Sequence, residues 1–109
     1  MAETFKNAYQ DITTSDTAVY TCPGSTTAIV LTLRVSNIDG TNTTFVNSRI
    51  LDSDTSTDAR IAHQIDVPIN TSIELAGTSK LVLEAGDKLF LQSEADNDLE
   101  AFVSILEIT

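Results

Sequence analysis

Residues 27–38 read T-A-I-V-L-T-L-R-V-S-N-I, and their alternation decides the fold class. Successive side chains of a β-strand point to opposite faces, so a period of two marks a strand with one apolar side. Ile29, Leu31, Leu33 and Val35 share one face here, with Thr32, Arg34 and Ser36 on the other. The pattern recurs at Ile61, His63, Ile65, Val67 and Ile69, opposed by Gln64 and Asp66. Leu81 and Leu83, then Leu89 and Leu91, repeat it on either side of a short turn. No twelve-residue stretch spaces its apolar positions at the 3.6-residue period of a helix.

Turn residues punctuate these runs at short intervals. Cys22-Pro23-Gly24 makes a corner, because Pro sets φ and Gly accepts positive φ. Asp39-Gly40 and Gly86-Asp87 read as hairpin turns, Ala76-Gly77-Thr78-Ser79 as a further turn, and Asp96-Asn97-Asp98 as a looser one. The expected strands are 4–12, 17–22, 27–38, 43–52, 59–67, 70–76, 80–85, 88–94 and 100–108. Eight or nine short strands this closely spaced predict an all-β fold, an antiparallel β-sandwich of jelly-roll or Greek-key type. Residues 1–109 form a single domain in this reading, with 1–10 available as an N-terminal arm that adds to a partner's sheet edge.

Charge narrows the function. Sixteen Asp and Glu face six Lys and Arg, for a formal net charge of −10. Phosphate backbones and anionic lipid headgroups repel such a chain, so neither nucleic acid nor membrane is an expected partner. The opening M-A-E-T-F-K-N-A-Y-Q-D has charges and amides where an export signal needs an apolar stretch. Synthesis and use without Sec export is the expectation. On that basis Asn42-Thr43-Thr44 and Asn70-Thr71-Ser72 are by-products of a Thr-rich composition rather than glycosylation sites.

Catalytic chemistry is nearly absent. One His and one Cys cannot fill a zinc site, and a Cys22–His63 nucleophilic pair has no identifiable third member. No nucleophile elbow, zinc-protease signature or phosphate-binding glycine loop occurs. Cys22 reads as a small buried hydrophobe, and His63 as a hydrogen-bonded core or interface residue. No catalytic residue and no cofactor are therefore expected. Calcium is the better metal question. Asp52, Asp54 and Asp58 occupy positions one, three and seven of a loop resembling the start of an EF-hand. The likeness then fails, since Thr57 replaces the required Gly and His63 the bidentate Glu. Glu94, Asp96, Asp98 and Glu100 form a second acidic cluster. Both read as solvated loops, with a weak calcium site as the alternative.

The last strand departs from simple alternation. In A-F-V-S-I-L-E-I (101–108), Ala101, Val103 and Ile105 fall on one face and Phe102, Leu106 and Ile108 on the other. A strand wetted on one side should not carry three large apolar residues there. Either it is central and covered on both sides within the chain, or Phe102, Leu106 and Ile108 meet another subunit.

The stretch V-Y-T-C-P-G-S-T-T-A-I-V (Val19 to Val30) resembles an opening found in small virion proteins of tailed bacteriophages. E-L-A-G-T-S-K-L-V-L-E-A-G-D-K-L-F-L (Glu74 to Leu91) and the closing S-I-L-E-I-T are similar to the second half of the same group. Residues 39–66 depart from the shorter members and look enlarged. The resemblance implies a β-sandwich structural subunit on the capsid exterior of the virion, made in the host cytoplasm. In that group the expected role is capsid decoration or cement, binding the major capsid protein as a homo-oligomer, with a trimer favoured. An accessory tail, neck or fibre component is the alternative within the virion. A carbohydrate-binding adhesion module is the alternative outside that class. Against it, Phe5, Tyr9, Tyr20, Phe45, Phe90 and Phe102 all fall on expected strands rather than loops, and there is no Trp.

Overall fold

The computed structural model describes residues 2–76 and 80–109, so the turn expected at Ala76–Ser79 falls mostly outside the described residues. The described residues form nine strands: β1 (Glu3–Ile12), β2 (Thr17–Thr21), β3 (Thr27–Asn37), β4 (Thr44–Asp52), β5 (Thr57–Val67), β6 (Ser72–Glu74), β7 (Leu81–Leu83), β8 (Lys88–Ser93) and β9 (Leu99–Ile108). They pair into two antiparallel sheets. Sheet A runs β1-β9-β3-β6, with β7 also on β3, and sheet B runs β2-β8-β4-β5. Counting β6 and β7 as two halves of one strand gives four strands per sheet and the interleaved order of a jelly roll. The core between the sheets is built from Val30, Leu33, Val35 and Leu83 of sheet A against Val46, Leu89 and Leu91 of sheet B, all fully buried.

Crossing between sheets explains two corrections. Asp39-Gly40 and Gly86-Asp87 are not hairpin turns, because β3 and β4 lie in different sheets, as do β7 and β8. The Asp87 carboxylate accepts the amides of Glu84 (2.8 Å) and Ser53 (3.1 Å), while its carbonyl accepts the Cys22 amide at 2.9 Å. These bonds carry the chain across the sandwich instead of back along its own strand. Among the described residues, β4 and β5 are the only consecutive strands that pair as a hairpin, closed by residues 53–56. The Cys22-Pro23-Gly24 corner stands as expected, taking the chain from β2 to β3.

The opening strand holds a third correction. Between Val30 and Thr32 the pairing of β3 with β9 slips by one residue. A bulge leaves one residue unpaired and reverses the side-chain phase beyond it. Ala28 and Val30 therefore point into the core before the bulge, and Leu33 and Val35 after it, while Ile29 and Leu31 stay outside. β5 behaves likewise: register shifts opposite Ser48 and a positive φ of 50° at Gln64 leave Ala62 and Val67 buried. Ile65 and His63 are exposed, so His63 is not a core residue. Its Nδ1 lies 2.9 Å from an Arg60 guanidinium nitrogen.

Residues 3–12 do not form a free arm. They pair with β9 through ten consecutive positions, because β9 would otherwise present an open edge beside the core. β9 is thus flanked by β1 and β3 and is central in its sheet.

Candidate functional site

The two outer faces of the sandwich differ in chemistry. On sheet B, the Arg49 guanidinium lies 3.9 Å over the Phe90 ring and pairs with Asp16 (2.6 Å) and with Asp58. Burial alone would lower the pKa of this group, but the hydrogen bonds it donates to Asp16 and Asp58 outweigh that effect and raise it. A shallow groove of about 160 Å³ opens beside Arg49, Asn47 and Gln92. Asp16 and Arg49 there are already paired with each other, while the Arg60 guanidinium meets only the His63 ring.

Sheet A presents the opposite. Register places its outward residues in rows across the strands. Phe5 lies opposite Leu106, Leu106 opposite Ile29, and Ile29 opposite Val82, an apolar row crossing β1, β9, β3 and β7. Four residues along, past a polar row of Asn7, Ser104 and Thr32, Tyr9 lies opposite Phe102 and Phe102 opposite Arg34. The Tyr9 and Phe102 ring centroids are 5.2 Å apart at 45°, an aromatic contact of ordinary geometry. One step further come Asp11, Glu100 and Ser36. Phe5 is 74% exposed, Tyr9 71% and Val82 57%. Phe102, Leu106 and Ile108 are half-buried by their strand neighbours, and no second layer covers them among the described residues. Phe102 and Leu106 thus belong to an apolar face that spans four strands, with Ile108 at its end.

Sequence reasoning reached β9 and missed Phe5, Tyr9, Ile29 and Val82. Ile29 was hidden by the bulge, and Phe5 and Tyr9 alternate with Lys6 and Ala8, a pattern with no obvious apolar side.

The remaining candidate residues are dispersed. Asp52 accepts the Asp54 amide at 2.9 Å, and Asp58 pairs with Arg49. Asp96 accepts the Thr14 amide (2.9 Å), and Asp98 the Thr44 hydroxyl (2.7 Å). Among the described residues no three His, Cys, Asp or Glu side chains converge as a metal site would require. Cys22 is buried, and that burial pushes its thiol pKa up. It follows β2 while His63 lies on β5, and these strands are the two edges of sheet B, three strand spacings or about 14 Å apart. No Cys–His pair forms.

Inside the sandwich sits one carboxylate that sequence alternation would have placed with apolar neighbours. Glu107 is 6% exposed, accepts the Tyr20 hydroxyl at 2.5 Å and pairs with Lys6 Nζ at 2.9 Å.

No family model and no curated protein matches the sequence. Solved structures do match the fold. One is a subunit of Bacillus endospore appendages, described as disulfide-linked pili, with a TM-score of 0.59 and 13% identity over 99% of this chain and 87% of that one. Another is a chain of infectious bursal disease virus strain Gx, with a TM-score of 0.57 and 10% identity over 96% of this chain. The present chain spans only 32% of that viral chain. A pentameric capsid protein from metagenomic phage sequences aligns more loosely, with a TM-score of 0.47 and 19% identity over 90% of this chain and 59% of that one. At such identities the matches establish the fold alone, a jelly-roll sandwich.

Proposed function

We propose that this chain is a structural virion subunit of a tailed phage, a decoration or cement protein that binds the assembled major capsid protein from outside. One observation carries the reading: the apolar outer face of sheet A, which a solitary soluble domain would not keep bare. Assembly is the use it fits best. A viral chain of the same fold and the resemblance of Val19–Val30 and Glu74–Leu91 to phage virion proteins support the viral setting. The strong negative charge fits a position outside the shell, away from packaged nucleic acid. A catalytic role has little to stand on, with Cys22 buried and His63 exposed at the far edge of the sheet.

The pilus match offers a second way to assemble, through disulfides between subunits. That route does not suit this chain, whose single cysteine is buried at the β2–β3 corner. The test is copy number per purified particle, measured by peptide quantification against the major capsid protein. Copies on the order of hundreds are expected for decoration. About a dozen or fewer would overturn it in favour of a tail, neck or fibre position.

A further inference from the structure

We infer that the outer face of sheet A is self-complementary, and that a second copy of this chain packs on it, sheet against sheet, about a two-fold axis parallel to the strands. The inference rests on the assembly reading above and names the occupant of that face.

The row geometry selects the axis. A two-fold axis along the strands reverses strand order and keeps each row against itself. β9 then faces β3 of the second copy, and β1 faces its β7. Phe5 meets Val82, and Leu106 meets Ile29, so the apolar row covers its own image. In the aromatic row Phe102 meets Arg34, which forms no ion pair among the described residues. A guanidinium over a ring is favourable there, and more so once water is excluded. Glu100, one step further on the same strand as Phe102, supplies a carboxylate beside that guanidinium. An axis across the strands would instead set Asp11 against Glu3 and place Glu100 on Ile108, repelling charge and burying a carboxylate on an apolar residue. Sheet twist accommodates the favoured arrangement, since stacked sheets pack with strands within about 30° of parallel.

Area sets the strength. Four strands about 4.8 Å apart, and five rows about 6.8 Å apart, give a footprint on the order of 500 Å² per copy. Two copies bury about 1,000 Å², at the lower limit for a specific interface, so the dimer is weak and concentration-dependent. A single patch that binds its own image closes at two copies. A trimer would need two different surfaces in contact.

Sedimentation velocity across a concentration series tests the pairing. The unaltered chain should shift from monomer to dimer and go no further. Phe5→Glu and Val82→Glu, both at well-exposed positions, should each raise the dimer dissociation constant at least about tenfold with an unchanged denaturation midpoint. Arg34→Ala and Phe102→Ala should weaken the dimer by less together than the sum of their separate effects. A chain that stays monomeric at every concentration, one that forms trimers, or a dimer indifferent to both glutamates would overturn the inference. Particle binding separates this from failure of the assembly reading. A monomeric chain whose Phe5→Glu variant no longer binds particles overturns self-pairing alone, with the capsid as occupant of the face. A monomeric chain whose variants bind particles normally overturns both uses of the face.

Discussion

The Tyr20 hydroxyl donates to Glu107 Oε2 at 2.5 Å, and through this bond β2 of sheet B is tied to β9 of sheet A across the interior. Lys6 of β1 completes the cluster from the sheet edge. An inward-pointing charge on an edge strand discourages pairing with foreign strands, and here it also neutralises a carboxylate that the core would otherwise reject. Tyr20→Phe removes the donor but keeps the ring. It should destabilise the chain by about 1–3 kcal/mol in chemical denaturation, as expected for a lost bond to a charged group. An unchanged midpoint would show that water replaces the hydroxyl.

The same pair makes stability depend on pH. The bond from Tyr20, followed by those from Lys6, holds the Glu107 pKa below its ordinary value against the opposing effect of burial. A carboxylate whose folded pKa is depressed contributes stability above its unfolded pKa, about 4.3. That contribution disappears as pH falls from there through the folded value, because the unfolded chain takes up the proton first. Denaturation midpoints should therefore drop on acidification below about pH 5, and the drop should be shallower in Glu107→Gln. Equal slopes in the two proteins would assign the acid sensitivity to other carboxylates.

Gly86 occupies a position that a side chain cannot share. Its φ is +88°, and a Cβ there would lie 2.7 Å from Ser53 Oγ. Gly86→Ala should cost about 1–3 kcal/mol, from left-handed backbone strain and the displaced serine together. Combining it with Ser53→Ala should restore only the steric part, because the backbone strain is unaffected. Full recovery in the double variant would mean that the backbone relaxes freely at this turn.

Much of the fold could be read from alternation and turns. Eight or nine strands were expected and nine form among the described residues, and residues 101–108 carry apolar side chains on both faces of a central strand. Period-two reasoning failed at Val30–Thr32 and again near Gln64, where bulges invert the phase. A bulge has no hydrophobic signature, since it inserts a residue without changing composition. Turn residues likewise reported where the chain bends but not whether it bends within a sheet or across to the other. Gly86-Asp87 has hairpin chemistry, and only the Cys22, Ser53 and Glu84 contacts to Asp87 reveal the crossing. The apolar face was half visible for the same reason. Leu106 and Phe102 lie on one strand, whereas Phe5, Ile29 and Val82 join them only through long-range register.

Calcium should leave the thermal midpoint unchanged. Asp58, the seventh-position carboxylate of the EF-hand-like segment, is held on Arg49, and Asp52 caps the Asp54 amide within its own turn. An ion would have to break both arrangements and still lack the bidentate ligand of position twelve, where His63 stands on an exposed edge strand. Arg49→Ala should release Asp16 and Asp58 at a cost of no more than about 1 kcal/mol, since all three groups are partly solvated. Melting curves of both proteins with calcium and with a chelator should coincide pairwise. A ligand that binds only the folded chain must raise its midpoint. A rise in the unaltered protein would therefore place an ion among the loop carboxylates. A rise confined to Arg49→Ala would show that the arginine already fills the place a cation would take.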